Sequence, residues 1–185
     1  MRLRRTSAIA TIFLSLVFAE CSQEQVKGNA VYFLRDDSHQ QWCGYASESR
    51  FKAQIQPLRA LVLGAANYAN GRLLALRLTQ TDETGDWAVN DEYARDKSGK
   101  FEALRRRIEI LPEDSSEEQL FVIHNGRAIK QRSVYHELRT GKVSQKSVNW
   151  FKAPPVMTDI EAFPFSPLIG SRRNDVWSAG SVCVP

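Results

Sequence analysis

The chain has 185 residues, 43% of them hydrophobic and 25% charged, and carries a formal net charge of +4. That length suits one domain with a sizeable core. The cationic excess lies in Arg2, Arg4 and Arg5; beyond residue 19 bases and acids nearly balance, which removes the charge-based case for a nucleic-acid partner.

Residues 1 to 7, MRLRRTS, carry those arginines and no acid, and residues 8 to 19, AIATIFLSLVFA, form an uncharged apolar run. This is the pattern of a cleaved export signal, and the run is shorter than the roughly twenty apolar residues that cross a bilayer. Val17 and Ala19 occupy the small-residue positions before Glu20, so release after Ala19 is expected, with no membrane span left after cleavage. A lipoprotein signal would be cut before Cys21 instead; Glu20 beside the cysteine departs from that pattern, and the lipid-anchored form is the alternative. The expected address is periplasmic or extracellular, and in that oxidising space Cys43 and Cys183 are the expected disulfide.

Residues 20–185 then read as a single β-rich domain, with a meander core over 61–151 and a strap over 152–185. Early strands are predicted at 30–35 (AVYFLR) and 41–46 (QWCGYA), and RFKAQIQ at 50–56 alternates well enough for a third. The same segment has Phe51, Ile55 and Leu58 at helical spacing, so a short helix is its alternative.

Turn signals then recur at Asn70-Gly71, Thr84-Gly85, Ser98-Gly99, Pro112-Glu113-Asp114, Asn125-Gly126 and Thr140-Gly141. Two-residue turns fix which side chains stand opposite one another. Around the first, Ala65 falls opposite Leu76 and Leu63 opposite Leu78. Around the second, Leu76 meets Tyr93 and Arg77 meets Glu92. Around the third, Tyr93 meets Leu104, Val89 meets Ile108, Trp87 meets Ile110, Asp91 meets Arg106 and Arg95 meets Glu102. This register makes KFEALRRRIEIL at 100–111 a strand despite its helical spacing. It also collects Leu61, Leu63, Leu74, Leu76, Leu78, Trp87, Val89, Tyr93, Leu104, Ile108 and Ile110 on one face. Arg77, Asn90, Glu92, Arg105, Arg107 and Glu109 fall on the other, in solvent. Later strands are predicted near 119–124, 127–138 and 142–151.

From Lys152 onward the chain is rich in both proline and large apolar residues, which predicts an irregular strap rather than regular structure or a disordered tail. Thr158-Asp159-Ile160-Glu161 fits a capping box, predicting a helical turn over 159–163. The expected fold is therefore mainly β: a long-stranded, curved antiparallel meander with one apolar face covered by N-terminal strands and the C-terminal strap, and one or two short helices.

Motifs for chemistry are sparse. His39, His124 and His136 stand apart, with no metal-ligand spacing and no CxxC, so no metal, cofactor or catalytic residue is assigned. TDETGDWAVNDE holds Asp82, Glu83, Asp86, Asp91 and Glu92 around one turn without EF-hand spacing, and the register already gives Asp91 to Arg106 and Glu92 to Arg77 or Arg105. Arg105-Arg106-Arg107 alternates faces in a strand, which splits a would-be phosphate patch. YARDKSGKF at 93–101 resembles the hairpin signature of YD-type repeats through Tyr93, Asp96 and Gly99; it covers a single hairpin and implies no activity.

The expectation is an exported, non-enzymatic binding or interaction module, with an unknown protein or an apolar small molecule against the sheet as its partner. Two alternatives are a hydrolase joining carboxylates of 82–92 to His124 or His136, and an envelope structural protein anchored through Cys21.

Overall fold

The structure, a computed structural model, describes residues 30–145 and 151–185. The expected signal, both cleavage sites and Cys21 lie outside the described residues.

The described chain is mainly β, with ten antiparallel strands in one open sheet. In chain order these are β1 (Ala30–Asp36), β2 (Gln41–Tyr45), β3 (Val62–Ala69), β4 (Arg72–Thr81), β5 (Trp87–Arg95), β6 (Phe101–Ile110), β7 (Ser115–His124), β8 (Arg127–Glu137), β9 (Val143–Ser144) and β10 (Ser181–Val184). Three short α-helices complete it: α1 (Glu48–Leu58), α2 (Ser166–Ile169) and α3 (Arg173–Ala179). The sheet order is β10-β2-β1-β3-β4-β5-β6-β7-β8-β9, so a meander runs unbroken from β3 to β9.

The hairpin arithmetic places the middle of the sheet correctly. Leu76 faces Tyr93, Arg77 faces Glu92, and Tyr93, Asp91, Val89 and Trp87 face Leu104, Arg106, Ile108 and Ile110. Lys100 to Ile110 is not helical; the strand at 101–110 follows from partners on both sides.

The register departs from expectation where a strand carries an extra residue. Leu74 is inserted opposite the Asn67/Tyr68 step, so Ala66 faces Leu76 and Gly64 faces Leu78, in place of Ala65 and Leu63. Such a bulge leaves its extra residue unpaired, and Leu74 is correspondingly 54% exposed rather than in the core. Leu63 turns to the opposite face, where it packs with Leu34 and Phe51, and Leu61 is only half-buried. Glu102 is the extra residue of a second bulge, which leaves Arg95 opposite Phe101. The shift also explains Gly64: a Cβ there would stand 2.5 Å from the Phe33 ring, so only glycine lets that ring lie flat across β3.

Residues 50–56 are helix, not strand. One strand cannot bury Phe51, Ile55 and Leu58 together, whereas helix α1 aims Phe51 at Tyr32 and Tyr45 (ring centroids 5.5 and 6.3 Å) and closes the outer face of β1–β3. Arg59, at φ 44°, ends it with its N–H on the carbonyls of Gln56 and Ile55. The N-terminal strands are not a cover for the meander: β1 joins β3 edge to edge and β2 lies beyond β1. Capping-box residues 159–163 make turns, with Glu161 N–H on Asp159 Oδ1, and the helices come later, at 166 and 173.

Cys43 and Cys183 are bonded as expected, across β2 and β10 with Cα atoms 4.0 Å apart and 140 residues between them in sequence. The bond holds the C-terminal strand at the sheet edge and closes nearly all of the described chain into one loop. Replacing both cysteines by serine is expected to lower stability by up to about 5 kcal/mol in the chain-entropy model. Urea unfolding of oxidised and serine-substituted protein measures it; equal midpoints would show that β10 holds without its bond.

Candidate functional site

The meander presents two unlike faces. On the inner face, one register row runs from apolar on β1–β4 to polar on β5–β8: Phe33, Gly64, Leu78, Asp91, Arg106, Gln119 and Ser133 lie side by side. Asp91 and Arg106 are each only 3% exposed. Arg106 donates from Nε to Asp91 Oδ1 and from Nη2 to Oδ2, both at 2.7 Å, and from Nη1 to the Pro154 carbonyl at 2.6 Å. A buried ion pair survives desolvation only with such full hydrogen bonding.

That third bond pins the strap. Past Pro154, Met157 N–H donates to the Tyr93 hydroxyl at 3.3 Å, and burial pushes the Tyr93 pKa up, which keeps its proton in place. Phe163 and Phe165 then enter the core, stacking at 4.9 Å, with Phe165 on Phe33 at 4.1 Å and 5.0 Å from Trp42. Leu168, Ile169 and Val176 complete the filling. The apolar face of β1–β4 is therefore packed by the chain's own C-terminal strap.

The acids and histidines singled out in the sequence do not converge. Asp82 closes its own turn, accepting from Thr84 Oγ1 and Trp87 N–H, Asp91 is committed to Arg106, and Glu92 pairs with Arg77 at 3.0 Å. His124 ends β7 at the opposite end of the sheet from the 82–86 turn. His136 stands on β8, with β6 and β7 between it and β5, and its Nδ1 lies 3.3 Å from the Gly141 carbonyl. Among the described residues no group of three His, Cys, Asp or Glu side chains could hold a metal ion.

Ser38, His39 and Asp36 do meet, at the β1–β2 turn. His39 Nδ1 lies 2.8 Å from Asp36 Oδ2 and 2.9 Å from Ser38 Oγ, and Ser38 Oγ donates to Asp36 Oδ1 at 2.6 Å. A nucleophilic relay needs serine and aspartate on different ring nitrogens; here both address Nδ1, so the trio caps a turn. The hydrogen bonds from Ser38, then from His39, hold the Asp36 carboxyl at about 2, below the usual carboxylate range near 4.

Among the described residues, hollows lie against the strap. A cleft of about 1140 Å³ lies at the loop end of the sheet, between the β5–β6 turn, the β7–β8 turn and residues 158–161. Phe101, Ile123 and Ile160 line it beside Arg95, Lys100, Asp159 and Glu161, so its wall is mixed in character. A smaller one, about 400 Å³, lies over β6–β8 and holds the buried Glu117 and Gln119 beneath Phe151 and Ala153. Ser133 Oγ donates to Glu117 Oε1, and Lys130 Nζ lies 3.9 Å from the same oxygen. Sequence reasoning missed this polar pair, because Glu117 and Gln119 read as ordinary solvent positions until β8 and the strap enclose them.

Strand β8 is poorly sheltered. It runs for eleven residues and none is buried. One edge pairs with β7 along its whole length, but β9 pairs only Tyr135 and His136, so from Arg127 to Val134 the other edge is unpaired among the described residues. After Gln145 the described chain resumes at Phe151, against Trp87 on β5 with ring centroids 5.1 Å apart. Ile129 is 52% exposed and lies beside Val122 on the outer face, which is 42% exposed. Among the described residues no helix is long and apolar enough to cross a membrane. Comparison with known protein families, with characterised proteins and with solved structures finds no match.

Two measurements probe these arrangements. Arg106→Met leaves Asp91 buried without its partner and is expected to cost about 3–5 kcal/mol, while Asp91→Leu with Arg106→Met costs much less. Denaturant titration of the single and double variants reads this; a double variant as weak as the single would mean that the pair is not a closed unit. Because the Asp36 pKa is depressed, its contribution is complete above pH 4 and is lost as the pH falls toward 2. Asp36→Asn should remove that part of the acid sensitivity of the melting temperature, and an unchanged acid limb would contradict the turn assignment.

Proposed function

We propose that the protein is an exported, non-enzymatic interaction module that presents the outer strands of its sheet to a partner. The observation that carries this is β8: a strand of eleven residues with no buried side chain and, among the described residues, no partner for its second edge over 127–134. Isolated exposed strands are poorly stabilised and edges are ordinarily blunted, shortened or covered. Among the described residues the strap fills the face of β1–β4 and no side chain of β8 is buried, which supports β8 as a contact surface. Export is supported by the signal-like residues 1–19 and by the Cys43–Cys183 bond, which suits an oxidising compartment. Release after Ala19 makes the mature form a free protein, and a lipid on Cys21 is the alternative that intact mass distinguishes.

A second reading, an apolar small molecule held against the sheet, draws support from the loop-end cleft, whose Phe101, Ile123 and Ile160 wall could shelter part of an amphiphile. It is secondary because the face of β1–β4 is already occupied by Phe163, Phe165 and Leu168.

The test places a photoreactive residue at Ile129 on β8 or at Lys52 on α1 in the exported protein within its own compartment. The expected result is a discrete crosslinked product from position 129 and none from 52. Absence of any product at 129, or equal labelling at both, would contradict the proposal.

A further inference from the structure

The loop-end cleft sets two opposite electrostatic demands around an apolar floor. Buried Phe101 and Ile123, with the half-buried Ile160 of the strap, supply the floor. The β5–β6 hairpin contributes Arg95 and Lys100 to one wall, and the strap contributes Asp159 and Glu161 to the other. Among the described residues, none of these four side chains has an ion-pair partner. Arg95 differs from other strand arginines without an ion pair. Arg72 and Arg105 are exposed to water, whereas Arg95 is half-buried and its Nε is buried with no hydrogen-bond partner. Its guanidinium lies along its own turn, where Gly99 leaves room: a Cβ there would stand 3.1 Å from Arg95 Nη2. Asp96 on that turn is engaged elsewhere, accepting from Ser98 Oγ at 2.7 Å and from the Lys100 N–H at 3.0 Å. Glu102, at the bulge, is exposed.

The strap wall has the converse need. The hydrogen bond between the Glu161 and Asp159 carboxyl groups raises the Glu161 pKa and lowers that of Asp159, as two acids competing for one proton do. Glu161 N–H also reaches Asp159 Oδ1 at 3.3 Å, which keeps both acids on one turn. One wall thus lacks an acceptor and the other lacks a cation. Given the second reading above, in which this cleft shelters part of an amphiphile, the charges name its head group. We propose that the loop-end cleft binds a zwitterionic single-chain amphiphile, with its phosphate or carboxylate on Arg95 and Lys100, its ammonium on Asp159 and Glu161, and its chain along Phe101, Ile123 and Ile160. A purely anionic head would face two carboxylates, and a purely cationic one would leave Arg95 Nε unanswered. At about 1140 Å³ the cleft has the room, since ligand sites commonly enclose roughly 300–1,000 Å³.

The probe is dodecylphosphocholine, with dodecyl maltoside, dodecyltrimethylammonium and dodecyl phosphate as uncharged, cationic and anionic controls. Each is titrated below its micelle-forming concentration into the oxidised full-length mature protein. The expected result is binding of the zwitterion about tenfold tighter than of any control, with amide shifts concentrated on 95–103, 122–126 and 158–161. Arg95→Gln with Glu161→Gln should abolish that preference and leave binding of the maltoside unchanged. Lys100→Gln with Glu161→Gln, both at exposed positions, should reduce it several-fold with an unaltered melting curve, and keeps the test decisive if loss of Arg95 disturbs the hairpin. A singly charged control that binds as tightly, or a preference untouched by both variants, would overturn the proposal. The two levels separate cleanly. A maltoside that binds in the cleft as tightly as the zwitterion sinks the head-group assignment and leaves the amphiphile reading standing, whereas no shifts around the cleft with any probe sink both.

Discussion

A guanidinium removed from water must have its charge and its donors answered nearby, and Arg106 finds both answers: the Asp91 carboxylate across the strand pair and the Pro154 carbonyl from the strap. The first bond ties β5 to β6. The second carries a proline-rich segment, which cannot form a ladder of its own, onto the middle of the sheet. Everything beyond Pro154 inherits that anchor. Met157 reaches Tyr93, the Phe163 and Phe165 rings settle against Phe33, Trp42 and Tyr93, and helices α2 and α3 lie down on β1 and β2 before β10 returns to the edge and is bonded there.

This arrangement divides the sheet by task. Strands β1 to β3 are clothed by α1 on the outer face, and β1 to β4 by the strap on the inner one. Strand β8 is sparsely clothed, and β7 buries the polar Ser115, Ser116, Glu117 and Gln119 beside the apolar Phe121 and Ile123. Among the described residues, the exposed strand β8 lies away from the apolar core packed on β1–β4. The face that a sequence rich in leucine and aromatics seems to reserve for a greasy guest is taken by the host's own phenylalanines.

Much of the centre was legible in the sequence, because two-residue turns and alternating side chains constrain each other. Once Thr84-Gly85 is a turn, Leu76 must face Tyr93, and Asp91 then comes to Arg106 through the next hairpin. The failures have a common physical origin in bulges. Leu74 and Glu102 each add one residue to one strand near a turn, and no local propensity distinguishes such a residue from its neighbours. Residues 50–56 were ambiguous because their apolar spacing fits both periods, and only the groove between Tyr32 and Tyr45 selects the helix. The bareness of β8 was not legible at all. RAIKQRSVYHE reads as a strand only through its turns, with no clean alternation to show which face is buried.

The account rests on the strap being a fixed layer and β8 an open one. Residue-resolved amide hydrogen exchange of the free oxidised protein measures both at once. The Met157 amide and those of β4 to β6 are predicted to exchange slowly and together, while amides on the outward edge of 127–134 exchange orders of magnitude faster. A strap that exchanges freely over a protected β8 would mean that the sheet is covered elsewhere and that its binding face has been placed on the wrong side.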